Sequence, residues 1–132
     1  SKDNPVFYVQ YACARANSVL SKAVDQKIEL ADVDCSKLST MHDLALIQKL
    51  AEFPKLVEAA ALSHEPHRVT FYLNELAQEF HGFWAKGNEE ESLRFFVEDT
   101  ELTKARVALA KAVLTTITAG LSILGVKAVE RM

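Results

Sequence analysis

The stretch Thr100-Glu-Leu-Thr-Lys-Ala-Arg-Val-Ala-Leu-Ala-Lys-Ala-Val-Leu-Thr-Thr-Ile-Thr-Ala-Gly-Leu-Ser-Ile-Leu-Gly125 decides the fold. Apolar side chains return at Leu102, Ala105, Leu109, Val113, Ile117, Leu121 and Leu124, in steps of three or four. That period belongs to an α-helix with one buried stripe. Thr100 is expected to cap its start. Gly125 suits the left-handed position just past its end. No charge appears between Lys111 and Lys127. A membrane span needs about 20 apolar residues. This run is shorter, and Thr115, Thr116, Thr118 and Ser122 break it. The expectation is a helix buried in a bundle, with no membrane contact.

The rest of the chain supplies its neighbours. Asn4-Pro5 reads as a helix start, with Asn as cap and Pro in the first turn. The helix is expected over 5–25. Val6, Val9, Cys13, Ala16, Leu20 and Val24 form its core face, and Tyr8, Tyr11, Arg15, Ser18 and Lys22 the opposite one. Residues 26–38 are polar and read as a loop. Ser39 is a candidate cap for a second helix carrying Met41, Leu44, Ala45, Ile47 and Leu50. Pro54 ends that helix and opens a short third one over 56–62. Pro66 opens a fourth, with Val69, Leu73, Leu76, Ala77, Phe80, Phe83 and Trp84 as its ladder. Gly87-Asn88 ends it. An acidic loop follows, anchored by Leu93, Phe95 and Phe96. The expected fold class is all-α, a bundle of about five helices in one domain over 1–132.

Composition agrees. The 132 residues are 49% hydrophobic and 25% charged, which excludes disordered and low-complexity classes. Four glycines and three prolines are too few for the many turns of a β-fold. The net charge of −3 excludes a broadly basic nucleic-acid binder but leaves room for a local strip. Two cysteines, Cys13 and Cys35, in a chain with no secretory leader point to reduced thiols and a cytoplasmic location. The chain opens at Ser1, so a piece of a longer polypeptide is expected.

Catalytic patterns are missing. The glycines Gly82, Gly87, Gly120 and Gly125 form no phosphate loop. His64-Glu-Pro-His67 has the wrong spacing for a zinc helix and reads as a polar turn. Asp32 and Asp34 lack a partner base, and Glu89, Glu90 and Glu91 read as a solvated run. Cys13 lies in an apolar ladder and reads as a packed thiol. The Tyr8, Tyr11, Arg15 stripe leaves two readings open. Two phenols and a guanidinium on one helix face suit stacking on unpaired bases and gripping phosphate. They equally suit packing on a neighbouring helix.

Further motifs bear on that choice. Asp3-Asn-Pro-Val-Phe-Tyr-Val-Gln-Tyr-Ala-Cys-Ala-Arg15 resembles the opening of the C-terminal helical domain of arginyl-tRNA synthetases. The resemblance runs on through Leu73-Asn-Glu-Leu-Ala77, Phe80-His-Gly-Phe-Trp84 and Thr103-Lys-Ala-Arg106. It ends in Gly120-Leu-Ser-Ile-Leu-Gly-Val126 and Val129-Glu-Arg-Met132, so it spans the chain in order. It departs from the family at two positions: Cys13, often His there, and Phe80, often Tyr.

The resemblance implies the helical anticodon-binding domain of a class I synthetase. It implies that Tyr8, Tyr11, Arg15, Phe80 and Met132 face the anticodon arm of tRNA(Arg). It implies an arginine–tRNA ligase whose catalytic domain lies upstream in cis and uses ATP and Mg²⁺. This chain would have no cofactor, no metal and no activity alone, and the enzyme is expected to be a monomer. A related cysteinyl or methionyl enzyme is disfavoured by the terminal Glu-Arg-Met. A protein-binding scaffold is the remaining alternative, and it would lack salt-dependent tRNA binding.

Overall fold

The computed structural model describes residues 6–125 and 128. Five α-helices follow one another: α1 (Phe7–Asp25), α2 (Met41–Ala51), α3 (Phe53–Ser63), α4 (His67–Lys86) and α5 (Thr100–Ile123). Single 3₁₀ turns, Cys35–Lys37 and Glu91–Leu93, sit in the two long connections. No strand occurs among the described residues, so the all-α expectation holds. The expected Asn4-Pro5 helix start and Met132 lie outside the described residues.

The helix ends show why the chain stops and starts where it does. Thr40, not Ser39, caps α2: its hydroxyl accepts from the Asp43 backbone N–H, while the Asp43 carboxylate accepts from the Thr40 N–H. Asp99, not Thr100, caps α5, accepting from the N–H groups of Glu101 and Leu102. In both places the true cap is one residue from the expected one, because the side chain that reaches the free N–H groups is the carboxylate or the second hydroxyl. α3 begins at Phe53, with Pro54 inside its first turn, earlier than the expected 56. Gly125 has φ +75 just beyond α5, the left-handed stop that its sequence position predicts.

α5 is the central element. It packs on α1, α2 and α4, while α3 leans on α4 and α2. α5 has the length and hydropathy of a membrane span, yet Val107, Leu109, Val113, Ile117 and Leu121 are buried between its neighbours. At Gly120 a Cβ would stand 2.7 Å from Leu73 Cδ2, so only a residue without one lets α4 approach this closely. The core face of α1 is Val9, Ala12, Cys13, Ala16, Val19 and Ala23. Val24 is 73% exposed and Leu20 only half-buried, which corrects the expected ladder. Steps of four drift off a stripe that 3.6 residues per turn keeps centred on Val19 and Ala23.

One polar cluster lies inside this apolar packing. Arg106 and Asp43 are both fully buried. Arg106 Nε and Nη2 donate to Asp43 Oδ1 and Oδ2 at 3.1 and 3.2 Å. Its Nη1 donates to the carbonyls of Ser92 and Arg94 at 2.6 and 2.7 Å. The Thr40 hydroxyl donates to Asp43 Oδ2 at 2.7 Å, and no buried side-chain polar atom among the described residues is left without a partner. Three residues earlier on α5 the same device repeats: Thr103 is buried and its hydroxyl donates to the Val97 carbonyl while accepting the Val97 N–H. Thr103 and Arg106 therefore clamp the loop 92–97 onto α5.

Removing one member of a buried ion pair strands the other charge, at a cost of about 3–5 kcal/mol. Asp43→Ala is expected to lower the unfolding free energy by that amount in urea denaturation. Replacing Asp43 and Arg106 together by Leu and Met is expected to cost less, because no charge is then left unpaired.

Candidate nucleic-acid interface

The face of α1 opposite its core turns toward α4. Tyr8 is 51% and Tyr11 42% exposed, so neither ring is a core residue. Tyr11 nevertheless meets His81 of α4 edge-on, so it combines an open ring face with a contact to the neighbouring helix. Tyr8 and Tyr11 both contact the ring of Phe7, at centroid distances of 5.3 and 6.5 Å. This gives the start of α1 a short aromatic ledge.

Arg15 is held more closely than a surface arginine. Its guanidinium lies 5.4 Å from the Tyr11 ring centre and 5.3 Å from that of Trp84. Its Nη1 donates to His81 Nδ1 at 2.9 Å. Partial burial draws the Arg15 guanidinium below its ordinary value, with Tyr11 acting in the opposite sense. The group stays ionised, as arginine does throughout proteins. His81 is also edge-on to Tyr11 at 5.1 Å, and its Nε2 faces the Tyr8 carbonyl oxygen at 3.4 Å. Burial, above all, holds the imidazole below its ordinary value; the Tyr8 carbonyl opposes this and the Arg15 charge reinforces it.

Two open recesses flank Arg15. One, of about 590 Å³, is lined by Phe7, Tyr8, Tyr11, Arg15, Gln78 and His81. The other, of about 620 Å³, runs along Tyr11, Arg15, Ser18, Lys22, Trp84 and Phe96. Lys22 Nζ lies 4.5 Å over the Phe96 ring at its far end. The surface thus carries aromatic rings, two cations and no carboxylate along these linings. That combination stacks flat unsaturated rings and holds anions between them.

Of the sequence-predicted residues, the structure brings Tyr8, Tyr11 and Arg15 together. Phe80 is elsewhere: it is fully buried, with its ring 5.7 Å from Phe95 in an edge-on arrangement. It offers no surface to a ligand, because its position on α4 points into the core formed with Phe83 and Phe95. The α4 residues that reach the open face are Gln78, His81 (the neighbour of Phe80) and Trp84. Sequence reasoning placed Trp84 in the apolar ladder and gave His81 no role. The signal was present, since 81 and 84 are one turn apart and share a helix face, but the partner helix across from it was not legible. Phe96, read only as an apolar anchor, forms the end of the groove.

Residues 9–132 match the family model described as the DALR anticodon binding domain. Over its full length the chain is 56% identical to an arginine–tRNA ligase of Cereibacter sphaeroides and 49% identical to that of Paracoccus denitrificans. It spans about a quarter of those relatives, 24% in each case. A solved structure described as an arginyl-tRNA synthetase of Campylobacter jejuni superposes on the whole chain with a TM-score of 0.75. That chain is 24% identical and 27% covered, and the likeness is one of fold. A helical bundle with this match along nearly all of its length belongs to the DALR anticodon-binding domain family.

Proposed function

We propose that residues 1–132 are the C-terminal anticodon-binding domain of an arginine–tRNA ligase and that the α1–α4 face binds the anticodon arm of tRNA(Arg). The observation that carries this reading is the exposed Tyr8–Tyr11–Arg15 cluster. Unpaired anticodon bases present π-faces and a phosphate backbone, and exposed phenols flanking a fixed guanidinium match both. The relatives that share the whole chain are named for charging tRNA with arginine. Met132, at the end of the chain, is proposed to join this face.

The net charge of −3 means that attraction to RNA comes from the local cations Arg15 and Lys22 and not from the molecule as a whole. Adenylation of arginine needs ATP and Mg²⁺. Among the described residues no three His, Cys, Asp or Glu side chains gather as a metal-holding set. Both are proposed to act in a catalytic domain of the same polypeptide, with the enzyme working in the cytoplasm as a monomer. The role left to this chain is to hold the anticodon arm so that the acceptor end is delivered to that domain. Such positioning contributes to rate without touching the reacting atoms.

Base–aromatic stacking is worth about 1–3 kcal/mol per base. Tyr11→Ala in the full-length enzyme is expected to weaken tRNA(Arg) binding roughly 5- to 150-fold, at about 1.4 kcal/mol per decade. Its melting temperature is expected to change little, since an exposed ring contributes within about 0.5 kcal/mol to folding. Normal affinity with a depressed melting temperature would contradict the proposal.

Arg15→Ala is expected to flatten the salt dependence. The slope of log affinity against log salt should fall by about 0.7–0.9, the value of one phosphate contact. Filter binding across a salt series reads this directly. An unchanged slope would mean that Arg15 meets no phosphate.

A further inference from the structure

His81 sits among the residues assigned to RNA without being suited to the same task. Its ring is half-buried, edge-on to Tyr11 and beside Phe80. Both of its nitrogens are engaged by α1. A guanidinium carries donors only, so the Nδ1 that it touches at 2.9 Å must be bare. A carbonyl oxygen accepts only, so the Nε2 facing Tyr8 must carry the proton. The two contacts, from opposite sides of the ring, select the same neutral tautomer. A second proton on Nδ1 would set donor against donor and cation against cation.

We infer that His81 is the positioning residue of this face: as a neutral, Nε2-protonated imidazole it holds the Arg15 guanidinium in place between the Tyr11 and Trp84 rings. The inference rests on the tRNA-binding reading and deepens it. Arg15 has a long, freely rotating side chain, and ordering it costs rotamer entropy that a ligand would otherwise have to meet. The bond to Nδ1 fixes it before RNA arrives. The same ring is tied to the backbone of α1 at Tyr8, so one side chain on α4 ties together the two ends of the cluster.

The interaction also makes RNA binding respond to acid. Among the described residues, the charged group acting on His81 is Arg15 of α1. Tyr8 and Tyr11 complete that side, and its own helix adds neutral Gln78 and Phe80. Among the described residues no carboxylate lines the recess beside the imidazole. Protonation below the ordinary imidazole range, near pH 6.5, breaks the contact and releases Arg15.

The test is a double-mutant cycle in the full-length protein, with a tRNA(Arg) transcript as probe. His81→Leu is expected to weaken binding about tenfold at neutral pH, the lower end of what a hydrogen bond to a charged group is worth. His81→Asn, whose amide oxygen replaces Nδ1 as acceptor, is expected to recover most of that loss. In an Arg15→Ala background, His81→Leu is expected to change affinity by less than about twofold. The advantage of the wild type over His81→Leu is expected to shrink from about pH 7.5 to about pH 5.5, where imidazole protonates. The ratio of wild type to His81→Asn should fall likewise.

An equal loss with and without Arg15 overturns the inference and gives His81 a direct contact. So does a His81→Asn variant as weak as His81→Leu, or a wild-type advantage that grows in acid. Melting curves accompany each titration, and His81→Ala replaces His81→Leu if the latter does not fold. A parent protein whose affinity is indifferent to removal of the anticodon arm from the transcript overturns the proposed function itself, a result distinct from all of these.

Discussion

A fully buried guanidinium, Arg106, gathers the ends of three elements at one point. It takes both carboxylate oxygens of Asp43 from the first turn of α2 and two backbone carbonyls from the loop before α5. Burying two ions is expensive, and a pair of this kind is a weak source of net stability. What it imposes is geometry. Arg's planar fork accepts few arrangements of its partners, so α2 and the 92–97 loop have little freedom against α5. Asp43 also closes the capping box of α2, which makes the start of that helix part of the same network.

The proposed RNA face is downstream of this clamp. With Thr103 and Arg106 holding the loop, Phe95 enters the core against Phe80, Phe83 and Trp84, at centroid distances of 5.7, 4.9 and 5.5 Å. The next residue, Phe96, is left to form the end of the groove under Lys22. Phe95 thus backs one face of Trp84 while Arg15 lies over the ring. Phe80 belongs to this supporting layer. A large aromatic there props Phe95 and the α4 face from behind, where it touches no ligand. An interface that must present aromatic rings to solvent needs rigid backing, because an unsupported ring would fold onto the apolar surface beside it.

Local charge placement is what the proposed binding of a polyanion by an acidic chain rests on. Each of the two cations on the groove has an aromatic partner, Arg15 on Tyr11 and Trp84 and Lys22 on Phe96. The ion pairs Lys37–Asp99, Lys49–Glu75 and Arg68–Glu65 lie outside both recesses, while Glu91 and Glu98 share a neighbouring recess with Phe96. Charges exposed more than a Debye length away, about 8 Å at physiological salt, are largely screened.

Local rules made the helices legible. The ladders of α4 and α5, the proline at the start of α3 and Gly125 at the end of α5 are read from residues within a turn or two of one another, and the structure returns them. The same periodicity set Tyr8 and Tyr11 opposite the core face but left open whether they packed on a neighbouring helix, which their exposure of 51% and 42% decided only in space. Cap identities slipped by one residue, since Ser39 and Thr40, or Asp99 and Thr100, are chemically near-equal and only the final backbone angle chooses between them. What sequence could not contain were contacts across the fold. Arg15 meets His81 from 66 positions away, and Arg106 meets Asp43 from 63. An arginine in an α5 pattern reads as solvated until a carboxylate from another helix is placed opposite it. Phe80 and Trp84 are equally aromatic in the sequence, and only the docking of α1 and the loop decided which one went under the core and which one faced the groove. Helix period is a property of neighbours along the chain, whereas burial and pairing are properties of neighbours in space.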